Sequence, residues 1–389
     1  MKTRILDRLM VAVIFIGLLF GFMKSILLPK DMNYYENRYA NQIYLLSANT
    51  YLDGSFQKGF EDGLMDQVPL AQTLKKLYND ISSYYLRYAV SPILNANGNQ
   101  YISFMGNNIF GGDYITYNMR DLSSLVEHFD EKIANYNQYF SKYNNIDFFL
   151  YYIEKDTDIN FETNQKLGAY EYLRDRINLP DEHIQKFEIN NFEEFRSFFY
   201  KTDHHWKYRG SYQAYIEVMQ LLGCADQVLT PLDTIKLPYT FSGSKAAGAG
   251  ASSFHEDFTV YRFDYQDMEI LINGKSVQDY GKQEAYFAGQ PEVITYGYFY
   301  GGDEGEVVFD TKRADRENIL ILGESYDNAI LKLIASHYNR TYSVDLRNYE
   351  ANLGSEFCFS EYIKEHNITK VLLIGNIDYF IMSEFLLKG

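Results

Sequence analysis

NILILGESYDNAILKLIASHYNRTYSVDLRNYEANLGSEFCFSEYIKEHNITKVLLIG, residues 318–375, switches repeatedly between two hydrophobic periods. NILILG (318–323), TYSVDL (341–346) and KVLLIG (370–375) are short apolar runs of the kind that form buried strands. SYDNAILKLIASHY (325–338) and EFCFSEYIKEHN (356–367) between them repeat their apolar residues at helical spacing, and a further helix closes the chain. A β-α-β-α-β-α order calls for a parallel sheet with helices on both faces. On such sheets ligands bind at the carboxyl ends of the strands.

Working outward, IDFFLYYI (146–153) is another strand of buried type. Residues 121–142 predict an amphipathic helix with Leu122, Leu125, Phe129, Ile133 and Tyr136 on one stripe. Residues 209–223 predict a helix ended by Gly223, and 55–87 read as helical through Phe56, Phe60, Leu64, Leu70, Leu74 and Leu77. Between 258 and 310 the pattern changes to short strands, with Asn273-Gly274 a strong hairpin signal. This places a β-rich insertion at about 240–310. SGSKAAGAGASS (242–253) suits a mobile loop or a backbone-lined cleft better than a domain boundary.

The N-terminus is of a different character. LMVAVIFIGLLFGFM (9–23) carries no charge, follows Lys2, Arg4 and Arg8, and is extended by SILLP past Lys24. Residues 9–28 are long enough to cross about 30 Å of hydrocarbon as a helix. The preceding basic residues keep the tip cytoplasmic and export the remainder. No small-residue pair for cleavage is evident, so a signal anchor is expected over residues 1–29, with a cleaved secretory signal as the alternative. The extracytoplasmic domain then runs over 30–389.

The composition narrows the class further. A chain of 389 residues with 46% hydrophobic and 23% charged residues is globular rather than disordered. A net charge of −16 repels phosphate backbones, which argues against nucleic acid as a partner. Two cysteines, Cys224 and Cys358, cannot build a disulfide framework or a zinc site by themselves, and whether they pair is left open. Aromatic residues reach 17%, with 37 Tyr, a feature that suits a carbohydrate cleft but is better read as coding bias and supports no function by itself.

Two constellations could carry chemistry. GESYD (323–327) puts a serine hydroxyl at a strand's carboxyl end and a helix start, where backbone N–H groups favour a developing oxyanion. Helix capping by Ser325 is the competing use. YKTDHHWKYRGSY (200–212) concentrates two of the chain's seven histidines beside an acid. In an extended segment Asp203 and His205 share a face while His204 points away. Asp203 can then fix one ring nitrogen of His205 while the other acts as base. Rings packed on Trp206, or half of a zinc site completed by Asp203, Glu193 or His255, are the alternatives. Asp203, His205 and Ser325 together supply orienter, base and nucleophile for a serine esterase or acyltransferase.

At TDHHW the sequence resembles the DHHW protein family, which is similar to the alginate O-acetyltransferase-like branch of the SGNH hydrolases. ENR (36–38), DGSFQKGFEDGLMDQVPL (53–70), YGYFYGGD (296–303), ILILGESYDNAI and DLRNYE (345–350) carry the same likeness. The resemblance implies an SGNH-like three-layer α/β/α core with permuted motif order, since the Asp and His precede the serine. It implies Ser325 as nucleophile, His205 as base and Asp203 as orienter. Glu324 stands where the branch has Asp, and a GxND-like block is represented only by GNID (375–378), with Asn376 a candidate oxyanion donor. His204, Trp206, Gly323, Arg347 and Tyr349 complete the substrate and oxyanion candidates, and no metal is expected. The implied activity is O-acetylation of a cell-surface polysaccharide. No bound cofactor is expected; a membrane-bound O-acyltransferase partner would deliver the acetyl donor. A deacetylase of the same type and a non-catalytic scaffold in a polysaccharide-export complex are the other readings.

Overall fold

The computed structural model describes residues 2–30, 32–33, 38–43, 51, 55–90, 92–93, 101–104, 106–249, 254–291 and 293–389. Glu36 and Asn37 of the ENR motif, Asp53 and Gly54, and the end of the small-residue stretch at 250–253 lie outside these residues.

An eight-stranded sheet organises the chain. In chain order its strands are β1 (Asp147–Ile153), β2 (Ile184–Phe187), β3 (Glu269–Ile272), β4 (Lys275–Val277), β5 (Glu306–Asp310), β6 (Asn318–Leu322), β7 (Arg340–Val344) and β8 (Ile368–Gly375). Across the sheet they run β4-β3-β5-β7-β6-β8-β1-β2. The five strands from β7 to β2 are parallel, as the alternating pattern predicts. Their side chains alternate between two cores. Ile319 and Ile321 of β6 face one, and Leu320 and Leu322 face the other. Helices cover both faces, which makes three layers. The helices at Val126–Lys142 and Phe359–Glu365 pack on the second core, and those at Tyr208–Leu221 and Leu331–Ala335 on the first.

The sheet is mixed rather than purely parallel. β3, β4 and β5, all from the expected β-rich insertion, add antiparallel strands to the outer edge of β7. The Asn273-Gly274 turn forms with φ of 48° and 75°, the left-handed pair that a two-residue hairpin requires. An antiparallel ribbon of Asp233–Phe241 with Glu256–Arg262 stands apart from the sheet.

β6 lies between β7 and β8, with its first connection passing over one face and the next over the other. The chain therefore reverses its winding direction at β6. That switch point opens a crevice at the carboxyl end of β6, where Gly323, Glu324 and Ser325 follow the strand.

Two helical predictions are broken into shorter pieces. Residues 325–338 form a 3-10 turn at Asp327–Ala329 and a short helix at Leu331–Ala335. The helical run of 55–87 is two helices, Ser55–Gln67 and Ala71–Tyr85, separated around Pro69, which cannot continue the hydrogen-bonded ladder. At the N-terminus the helix Lys2–Leu27 contains the one span among the described residues, Arg8–Leu27, that is long and apolar enough to cross a membrane.

Candidate active site

The DHH segment is an excursion between two helices, Phe192–Phe198 and Tyr208–Leu221. A backbone bridge between Phe199 and Trp206 closes its neck, and Tyr200 N–H donates to His205 O at 3.1 Å. Trp206 is fully buried, edge-on to Phe187 and Tyr326. The tryptophan thus anchors the excursion from behind and does not face a substrate. Thr202 is held through its N–H and hydroxyl by Glu256, at 2.8 and 2.7 Å.

Within this loop the His205 Nδ1–H donates to Asp203 Oδ1 at 2.6 Å, and the His205 backbone N–H donates to the same oxygen at 2.9 Å. On the other side of the ring, His205 Nε2 lies 2.9 Å from Ser325 Oγ. The three residues singled out in sequence therefore meet in one hydrogen-bonded relay. Ser325 makes no capping bond; Tyr326 stands at the N-cap of the following turn, and the serine hydroxyl is engaged by the histidine.

His204 does not point away from His205, as an extended segment would require. Residues 201–205 are bent rather than extended, because the Phe199–Trp206 bridge draws the two ends of the excursion together. The His204 and His205 rings consequently lie side by side, tilted by 36° with centroids 3.8 Å apart. His204 Nδ1 pairs with Ser244 Oγ at 2.6 Å. Burial of most of its ring, reinforced by repulsion from His205, pushes His204 well below its ordinary pKa.

Asp203 is buried, which taken alone would raise its pKa. The attraction of His205 and His204, with the two hydrogen bonds from His205, outweighs that and holds the carboxyl well below the usual range. Its Oδ2 accepts the Ser244 N–H at 2.7 Å. This contact identifies what sequence reasoning missed in SGSKAAG. The segment folds as a short helix, Ser244–Gly248, that cradles the acid. Gly243 permits the approach, since a Cβ there would lie 2.3 Å from Asp203 Oδ2. Tyr296 of YGYFYGGD was not singled out either. Its ring lies flat on His205, at 3.9 Å and 3°.

The remaining candidates are placed around the relay rather than in it. Gly323 admits the Asp327 carboxylate, which a Cβ would strike at 2.1 Å, and its N–H donates to Val344 O. Glu324 is buried and accepts from both the backbone and the side chain of Asn376, at 3.2 and 2.6 Å. The longer acidic side chain therefore makes specific bonds to the turn after β8. Asn376 donates to Glu324 and accepts from the Asp378 N–H, and makes no hydrogen bond to Ser325 among the described residues. Arg347 is paired with Asp345 at 2.5 Å and Asp303 at 3.3 Å. Tyr349 packs edge-on to Phe357 and lines a separate cavity with Leu346 and Glu350.

Among the described residues, the one donor group tight enough for a metal is Asp203, His204 and His205. Both ring nitrogens of His205 and Nδ1 of His204 are already hydrogen-bonded, to Asp203, Ser325 and Ser244. Glu193 faces solvent, paired with Arg196, and His255 is exposed. Cys224 and Cys358 are free thiols.

A family model described as "DHHW protein" matches residues 141–344. Among solved structures, Bacillus cereus PatB1 superposes with a TM-score of 0.54 at 19% identity, covering 71% of this chain and 97% of that one. The same protein has been solved with a sulfonyl adduct. A DHHW family protein from Eubacterium siraeum DSM 15702 superposes with a TM-score of 0.53 at 15% identity, covering 74% and 98%. No curated protein matches the sequence.

Proposed function

The chain belongs to the DHHW protein family, and from that premise we propose that it is a membrane-anchored, extracytoplasmic O-acetyltransferase acting on a cell-surface polysaccharide. The observation that carries the proposal is the relay Asp203–His205–Ser325, with contacts of 2.6 and 2.9 Å. The resemblance of its two motifs to the O-acetyltransferase-like branch of the SGNH hydrolases supports transfer as the outcome. The apolar span Arg8–Leu27, preceded by basic residues, supports the anchor.

In this mechanism Ser325 Oγ attacks the acetyl carbonyl of the donor and passes its proton to His205 Nε2. Asp203 keeps the His205 Nδ1–H oriented and stabilises the imidazolium that forms. Among the described residues no group accepts from the Ser325 backbone N–H, which leaves it to donate to the developing oxyanion. His205 returns its proton to the leaving group as the tetrahedral intermediate collapses to acetyl-Ser325. A sugar hydroxyl then gives its proton to His205 and attacks the acetyl carbon. His205 protonates Ser325 Oγ as the serine departs, releasing the acetylated sugar. Tyr296, flat against the imidazole, restrains its tilt through both half-reactions.

The test is incubation of the purified chain with a chromogenic acetyl ester and sugar oligomers, scoring acetate against acetylated sugar. Acetylated sugar that disappears in Ser325→Ala supports the proposal. Acetate alone, with the sugars unmodified, makes the protein a deacetylase instead.

A further inference from the structure

The helix Ala71–Tyr85 carries a stripe of large apolar side chains that nothing among the described residues covers. Leu74, Leu77, Tyr78, Ile81, Tyr84 and Tyr85 recur at three- and four-residue spacing, and each is more than half exposed. Lys75 lies off this stripe and is also exposed. In a water-surrounded domain such a stripe is unfavourable, so its location relative to the N-terminal helix matters.

That location is fixed by a set of hydrogen bonds. Ser25 is buried in Lys2–Leu27, and its Oγ bonds Gln67 O at 3.1 Å. Lys30 N–H donates to Gln67 Oε1 at 2.6 Å, Gln67 Nε2 returns a bond to Lys30 O at 3.0 Å, and Lys30 Nζ reaches Asp66 O. The turn joining Ser55–Gln67 to Ala71–Tyr85 is thereby tied to the outer end of the apolar span. Pro69 Cδ sits 3.9 Å from where a Cβ on Gly21 would be. Gly21 is six residues inside the end of the span at Leu27, or about 9 Å along the helix axis. Val68 and Leu70 flank Pro69 with exposed side chains, and Leu70 has a φ of 64°. Gly or Asn suits that conformation better, so a leucine there is unusual.

We infer that the turn Val68–Leu70 and the tyrosine-rich stripe of Ala71–Tyr85 are buried in the outer leaflet of the membrane. The helix would lie in the interface plane and fasten the catalytic domain to the surface at a second point. Interfacial helices bury their apolar face by about 5–10 Å, matching the depth at which Gly21 holds Pro69. Tyrosine is among the residues enriched at the lipid–water boundary. The inference rests on the anchor reading of Arg8–Leu27 and is independent of the acetyl-transfer chemistry.

Spin labels on the full chain in phospholipid vesicles test it, on a Cys224→Ser, Cys358→Ser background. Labels are placed singly through Ile14→Cys in the span, Ile81→Cys on the stripe and Lys75→Cys off it. Collision rates are read with oxygen, which partitions into lipid, and with a water-soluble nickel chelate. The expected result is an oxygen-to-nickel ratio at Ile81 close to that at Ile14 and severalfold above that at Lys75. If Ile14 reports lipid while Ile81 matches Lys75, the stripe faces water; the anchor stands and the inference fails. If Ile81 is shielded from both reagents, protein covers the stripe, and the inference also fails. If Ile14 reports water, the anchor reading fails and the inference with it.

Discussion

Replacing Asp203 by Asn keeps the shape of the acid and removes its second acceptor and its charge. In the native site Oδ1 receives two hydrogen bonds from His205 and Oδ2 receives one from the Ser244 N–H. An Asn whose oxygen faces His205 must turn its NH2 toward the Ser244 N–H, so two donors meet. The flipped Asn satisfies Ser244 but offers a donor to His205 Nδ1, which forces the other tautomer. Nε2 then carries the proton and cannot accept one from Ser325. The donor clash at Ser244 disfavours the first orientation and the second removes the base; loss of the correct tautomer in a Ser-His-Asp relay is worth about four orders of magnitude in turnover, or about 5 kcal/mol of barrier. The assay is initial-rate hydrolysis of an acetyl ester, with urea denaturation showing that the variant is folded. The pH dependence of stability gives an independent check. Because the folded carboxyl is held below its unfolded value, its stabilisation is present above about pH 4 and lost on further acidification. Asp203→Asn should lack that part of the acid limb. A folded variant within tenfold of wild-type turnover would refute the assignment of Asp203 as the orienter.

Three further outcomes follow from the same geometry. Tyr296→Ala removes the ring stacked on His205 and should lower kcat by about one to two orders of magnitude with little change in KM, as expected when only the base's orientation is lost; steady-state kinetics on an acetyl ester decide it. Gly243→Ala drives a methyl group into Asp203, so activity should fall sharply while the far-ultraviolet circular dichroism stays native. His337, pushed down to about 4 by burial and then by Arg313 and Arg316, accepts from Tyr215 Oη at 2.7 Å. It is neutral in the fold, so its contribution is present above its unfolded value near 6.5 and declines as pH falls from there toward 4. Denaturation midpoints compared at pH 7.5 and 5 should therefore drop less in His337→Gln than in the wild type.

The parallel half of the sheet was legible because strands buried on both faces are continuous apolar runs, as in ILIL and VLLI, and their order dictates the winding. Ser325 and the Asp203–His205 pair were legible because each is local: a serine after a strand, an acid two residues from a histidine. What escaped depends on contacts between distant segments. β5 joins β7 across 30 or more residues, and nothing in its own five residues distinguishes a sheet edge from a separate insertion. The direction of His204 followed from assuming extended backbone, which the Phe199–Trp206 bridge overrides. Asn376 looked like a free donor because the acid that engages it, Glu324, lies 52 residues earlier. The cradle made by Gly243 and Ser244 is 41 residues from the carboxylate it serves, and small residues alone do not announce such a role.

The central claim is a covalent one: an acetyl group rests on Ser325 between donor and acceptor. Rapid acid quench after mixing with an acetyl ester, followed by peptide mass spectrometry, tests it most directly. A single acetyl group is expected on the peptide bearing Ser325, absent in Ser325→Ala, accumulating in His205→Ala only slowly, and discharged when sugar oligomers are added. Acetyl found on another residue, or turnover in Ser325→Ala equal to the wild type, would contradict it.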